Sequence, residues 1–84
     1  MGVEIRNTVI QSVLIITPKR IRDRRGFFEE TWNNNSLADN GINIHFVQDN
    51  HSYSKDVGTL RGLHYQSPPF AQDKLVRCIR GAIF

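Results

Sequence analysis

Cysteine is nearly absent from this 84-residue chain. Cys78 stands alone, so no intrachain disulfide can form and a cysteine-built zinc site lacks ligands. Proline is scarce (three residues) and glycine modest (six), too little for a collagen-like or linker segment. No stretch approaches the ~20 consecutive apolar residues of a membrane span. The opening Met1-Gly2-Val3-Glu4-Ile5-Arg6 has no basic segment leading into an apolar core, so no signal peptide is visible. Gly2 suggests myristoylation, but Arg6 occupies the place where that signal needs Ser or Thr. The expectation is a cytoplasmic, reduced protein that makes no use of a membrane. Acidic residues are the minority, 8 against 11 basic, for a formal charge of +3, and eight of the eleven are arginine. Arginine suits phosphate and carboxylate groups. That bias fits an anionic ligand, and it fits a mildly basic surface equally well.

Against these absences, 39% of the residues are hydrophobic, which is globular rather than disordered composition. A complete domain this small buries a modest share of its surface. Stability then calls for tight packing, a partner or more chain. Val13 to Thr17 is an apolar, β-branched run closed by Pro18 and reads as a buried strand. Phe27 to Trp32 is a second strand candidate. Ser36 is placed to cap a short helix over Leu37 to Asn40, stopped by Gly41. Ile42 to Gln48 alternates as a strand does. Asp49 to Val57 is polar and reads as a loop. Gly58 to Gln66 reads as extended but interrupted at Gly62, and Lys74 to Arg80 alternates strongly. Short strands between Gly, Pro and Asn turns predict an all-β fold. Ala82-Ile83-Phe84 reads as the middle of a strand, which suggests the N-terminal piece of a longer fold.

Four features could carry chemistry. In Arg61-Gly62-Leu63-His64-Tyr65-Gln66, ideal alternation puts His64 on a face with Gly62 and opposite Arg61. A bulge at Gly62 would bring Arg61 and His64 to one side. A lone histidine is more often a structural core group than a base, and both readings stay open. The cluster Lys19 to Arg25 holds five basic residues and one acid, suited to clamping phosphates or to a solvated loop. In Phe46-Val47-Gln48-Asp49-Asn50, the Gln48 and Asn50 amides fall on one face, able to read a base edge or sugar hydroxyls, or to belong to a turn. Lys74 shares a face with Val76 and Cys78. It is either an inward cation or a snorkelling surface lysine, and Cys78 reads as a small core hydrophobe. His45, His51 and His64 lack metal-ligand spacing, so no metal is expected. Aromatic–basic interleaving is confined to Arg24-Arg25-Gly26-Phe27-Phe28, which ranks a nucleic-acid-binding barrel last.

Taken together and in order, Asp23-Arg24-Arg25-Gly26-Phe27-Phe28-Glu29-Glu30, Phe46 to Ser52, Leu60 to Gln66 and Ala71 to Cys78 resemble the dTDP-4-dehydrorhamnose 3,5-epimerase family. The resemblance implies a cupin-like double-stranded β-helix (jelly roll), a homodimer, no cofactor and no metal, with residues 1–84 forming the N-terminal portion of one domain. It implies a dTDP-4-dehydro-6-deoxy sugar as substrate, in dTDP-rhamnose and hence polysaccharide biosynthesis. It gives His64 the role of catalytic base and Lys74 that of oxyanion stabiliser. Arg25 and Arg61 fall near the diphosphate and sugar, Glu30, Gln48 and Asn50 on the nucleotide side, and Phe28 among the substrate-binding residues. It further implies that an aspartate pairing with the histidine and a tyrosine acid come from beyond residue 84. The 84 residues by themselves are therefore expected to be inactive. A sugar-nucleotide epimerase of other specificity and a non-catalytic binder are the alternatives.

Overall fold

The computed structural model describes residues 2–84. Five elements form, in the order β1 (Val3–Asn7), β2 (Leu14–Pro18), β3 (Arg20–Asp23), β4 (Gly26–Glu29) and α1 (Asn34–Asp39). Strands outnumber helices, and the regular structure is mainly β. The chain divides into two compact units, the first ending at His45 and the second spanning Phe46–Phe84, with every element in the first.

β1 and β2 form an antiparallel pair in which Ile5 faces Ile16 and Val3 faces Pro18. These four are half-buried, while Glu4, Arg6, Ile15 and Thr17 on the other face are exposed. The Val13–Thr17 run is thus a strand, displaced by one residue, and is covered on one face rather than two. Thr8 organises the connection. Its hydroxyl lies 2.9 Å from the Ile10 carbonyl and 2.8 Å from that of Val13, and it accepts from the Ile10 amide. The Val13 amide closes the turn on the Ile10 carbonyl.

β3 and β4 form a second antiparallel pair, Arg20 facing Glu29, Ile21 facing Phe28, Arg22 facing Phe27 and Asp23 facing Gly26. The basic cluster expected as a loop is therefore mostly a strand. Its alternation explains why: Arg20 and Arg22 share one face with Phe27 and Glu29, and Ile21 pairs with Phe28 on the other. The Arg20 guanidinium makes a two-pronged ion pair with Glu29, both contacts at 3.1 Å, and lies 3.7 Å over the Phe27 ring. The hydrogen bonds that Arg20 donates to Glu29 raise its pKa above the ordinary value. The reversal at Arg24 and Arg25 places its positive φ, 138°, on Gly26, the residue with no Cβ to resist it.

Asn33, not Ser36, caps α1. Its Oδ1 accepts the Ser36 amide at 3.0 Å from an extended backbone. The C-terminus closes as a Schellman motif, with Gly41 at φ 84°, its amide bonded to the Ala38 carbonyl and the Ile42 amide to the Leu37 carbonyl. Leu37, 5% exposed, is the buried apolar residue of the described chain. Ile42, Ile44 and Phe46 are half-buried and alternate with exposed Asn43, His45 and Val47, so the expected periodicity is present. No ladder forms there, nor over Gly58–Gln66 or Lys74–Arg80, and these three strand expectations are corrected. A strand exists only with a neighbour to receive its amides and carbonyls, and these segments have none among the described residues.

Replacing Asn33 with Ala removes the cap. A loss of about 1 kcal/mol is expected, read as roughly fivefold faster hydrogen exchange at the Ser36 and Leu37 amides.

Candidate functional site

The eight candidate residues fall into both units, and each unit is taken by itself. In the first, Arg25 sits in the β3–β4 turn. Asp23 holds it on two levels: Oδ1 accepts the Arg25 amide at 2.8 Å, and Oδ2 accepts Nε at 3.2 Å and Nη2 at 2.7 Å. The backbone bond is an Asx-turn, the local closure that aspartate offers at a chain reversal. The side-chain bond from Arg25, then its backbone bond, hold the Asp23 carboxyl below the ordinary carboxylate range against desolvation, with a lesser contribution from the Gly26 amide. Arg25 remains 85% exposed. Phe28 is exposed on the apolar face of the hairpin, and Glu30 follows β4 half-buried.

In the second unit, the Lys74 ammonium donates to the His64 backbone carbonyl at 3.1 Å. Ten residues separate the two in sequence, and the fold brings them side by side. A fixed cation is thereby anchored on the same residue that carries the imidazole. Both are exposed, which sets aside the core histidine and the inward lysine. Cys78 is exposed as well, its thiol donating to the Arg80 carbonyl at 3.4 Å, so it is not the core residue expected. Gly62, at φ 110°, turns the chain just before His64, and a Cβ there would lie 3.7 Å from the imidazole Nδ1. Among the described residues no carboxylate pairs with that imidazole.

Arg61 is turned away to its own loop, with Nε donating to the Ser54 hydroxyl at 2.7 Å and Nη2 to the Tyr53 carbonyl at 2.9 Å. Gln48 Nε2 reaches Asn50 Oδ1 at 3.5 Å, so the two amides do share a side, as their spacing requires. The second unit thus joins His64 to Lys74 and Gln48 to Asn50, while Arg61 is held by a separate contact. Sequence reasoning overlooked the partners of the arginines. Asp23 was findable, since an acid two residues before an arginine at a glycine turn is Asx-turn chemistry. The Ser54–Arg61 contact, seven residues apart in a polar loop, left no local signal.

Two open surface hollows lie elsewhere, one between Gly2–Glu4 and Thr17–Lys19 and one lined by Asn34, Ala38, Asn43, Ile44 and His45. No group of three or more metal-binding side chains gathers among the described residues. No helix among them is long and apolar enough to cross a membrane.

An exposed histidine whose backbone carbonyl anchors a lysine ammonium brings together residue types suited to general acid–base chemistry. The comparisons narrow that class. A family model described as dTDP-4-dehydrorhamnose 3,5-epimerase matches residues 7–84. A protein of that name from Shigella flexneri is 53% identical over 78 residues, covering 92% of this chain and 42% of its own length. One from Sinorhizobium fredii is 48% identical over 75 residues, covering 89% of this chain and 38% of its own length. A dTDP-4-dehydrorhamnose 3-epimerase from Streptomyces niveus is 36% identical over 81 residues, covering 95% and 39%. No solved structure gives a significant match. The chain belongs to the dTDP-4-dehydrorhamnose 3,5-epimerase family, and it spans about two fifths of the length of the curated relatives it matches.

The Asp23–Arg25 pair carries its own pH dependence. Its folded pKa is depressed, so the pair stabilises the turn above the ordinary carboxylate range, and that contribution is lost as pH falls through the depressed value. Arg25→Ala is expected to move the Asp23 titration midpoint upward toward the ordinary range, read from its carboxyl carbon shift in NMR.

Proposed function

We propose that this chain supplies the base-bearing part of a dTDP-4-dehydrorhamnose 3,5-epimerase, the N-terminal portion of one cupin-like, homodimeric, cytoplasmic domain. The observation that carries the reading is the contact between Lys74 and the His64 carbonyl. It unites the two residues to which the family resemblance gives the central chemical roles. The large apolar side chains left exposed on both sheets and through the second unit support a domain completed by further strands. So does the share of each relative's length that the chain covers.

The chemistry follows from the substrate's ketone. C3 and C5 of dTDP-4-dehydro-6-deoxyglucose both lie α to the C4 carbonyl. The His64 imidazole takes the proton from one of them, and the electron pair of the broken C–H bond moves into the ring as an enolate. Negative charge develops on the C4 oxygen, where the Lys74 ammonium offsets it. An acid on the opposite face returns a proton to carbon, the carbonyl re-forms and the centre is inverted. Repetition at the other carbon completes the double epimerisation. Arg25 and Arg61 would face the diphosphate and sugar, Glu30, Gln48 and Asn50 the nucleotide, and Phe28 would be among the substrate-binding residues. No cofactor is invoked, because the proton is acidified by the substrate itself.

A second reading, inversion at C3 alone, is favoured by one observation: the Streptomyces niveus relative bears the name of a 3-epimerase. Deuterium incorporation separates the two. In deuterated buffer, the chain by itself is expected to leave the sugar nucleotide unlabelled. A chimera continuing it with the C-terminal residues of the Shigella flexneri relative is expected to label C3 and C5. His64→Ala in that chimera should slow labelling by about 10²–10⁴-fold. Labelling that ignores the substitution overturns His64 as base, and labelling at C3 alone selects the second reading.

A further inference from the structure

We infer that Asp23 is a positioning residue, which fixes the guanidinium of Arg25 so that its free edge meets the diphosphate of the nucleotide sugar. This rests on the epimerase reading above, and deepens it by one residue.

The donor inventory of Arg25 leads to it. A guanidinium has five N–H donors in a rigid plane. Asp23 Oδ2 occupies the Nε edge, taking Nε–H and one Nη2–H. The remaining Nη2–H and one Nη1–H form the fork at the tip, and the other Nη1–H points back along the Cδ side. That fork is a bidentate match for phosphate oxygens. Arg25 is 85% exposed even while paired, so the tip is open. The other carboxylate oxygen is committed as well, since Oδ1 holds the Arg25 amide. One side chain therefore fixes both ends of Arg25, its backbone through the Asx-turn and its head group through the ion pair. No other arginine on the hairpin is prepared in this way. Arg20 spends its pairing edge across the sheet on Glu29 and lies over Phe27. Arg22 stands 5.9 Å from the same ring.

A carboxylate beside a phosphate site also repels, and the magnitudes decide which effect wins. Across roughly 6 Å of screened, water-like surroundings at physiological salt, the repulsion weakens binding by about threefold for a diphosphate carrying two charges. Immobilising an otherwise free arginine side chain is the larger effect, about tenfold or more in affinity. Positioning therefore outweighs repulsion. At low salt, where repulsion is less screened, the advantage narrows.

The test compares dTDP with thymidine, two ligands that differ only by the diphosphate, using calorimetry on the full chain, on Asp23→Asn and on Asp23→Ala. Asn is isosteric and keeps an acceptor for the Arg25 amide but loses the charge-assisted pair. Ala loses both. The wild type is expected to prefer dTDP over thymidine, and both variants to lose about threefold of that preference, the tenfold positioning gain less the relieved repulsion. Thymidine affinity should stay constant throughout, which a merely structural defect would not allow. A wild-type preference that persists in both variants overturns the role of Asp23 and leaves the epimerase reading standing. A wild type with no preference for dTDP overturns the positioning role, while labelling of C3 and C5 by the chimera judges the epimerase reading separately.

Discussion

A β-strand is a relation between two segments, and the pairing of backbone amides and carbonyls governs what this chain can build. Pairing close in sequence carries the smallest loop-closure cost. Both sheets obey that limit. β1 meets β2 across a short connection knotted by the Thr8 hydroxyl, and β3 meets β4 across Arg24 and Arg25. Everything after α1 lacks a neighbour within reach and is left as extended or turning chain. An isolated two-stranded hairpin is marginally stable in water, so the side-chain contacts on each hairpin weigh more here than they would inside a larger sheet.

The β3–β4 hairpin shows how those contacts are assigned. Its arginines are not a uniform basic patch. Arg20 is neutralised across the sheet by Glu29 and covers Phe27, and Arg25 is neutralised in the turn by Asp23. Exposed ion pairs contribute little singly. Their effect here is geometric: they decide which guanidinium edges remain open. In the second unit, Lys74 is anchored on the His64 backbone carbonyl, and Arg61 on the Ser54 hydroxyl and the Tyr53 carbonyl, all uncharged acceptors. Anchoring on the backbone fixes a cation without cancelling its charge. That suits a cation placed to stabilise an oxyanion.

Family membership and local geometry bear on different questions. The match over residues 7–84 establishes descent. The contacts establish which candidate residues are neighbours within a unit: His64 with Lys74, Gln48 with Asn50, and Asp23 with Arg25. The activity itself joins the two and remains a proposal, because the relatives are more than twice as long as the chain.

Much of the local structure was legible in the residues. The VLIIT run before Pro18, the Gly41 stop after the helix, the alternation of Ile42, Ile44 and Phe46 and the shared side of Gln48 and Asn50 all follow from spacing and turn chemistry, which act over a few residues. Local rules also mislead where two candidates compete, as when Asn33 rather than Ser36 took the cap. What the sequence by itself determined is therefore family, composition class and part of the short-range code: strand periodicity and the glycine stop after the helix. The tertiary structure alone decided which periodic segments found a partner and which did not. It turned a basic cluster into a strand with an aromatic face, exposed Cys78, and brought Lys74 to the carbonyl of His64. The physical reason is that pairing and burial depend on what lies across space, and a one-dimensional pattern fixes the faces of a segment without naming the surface that each face will meet.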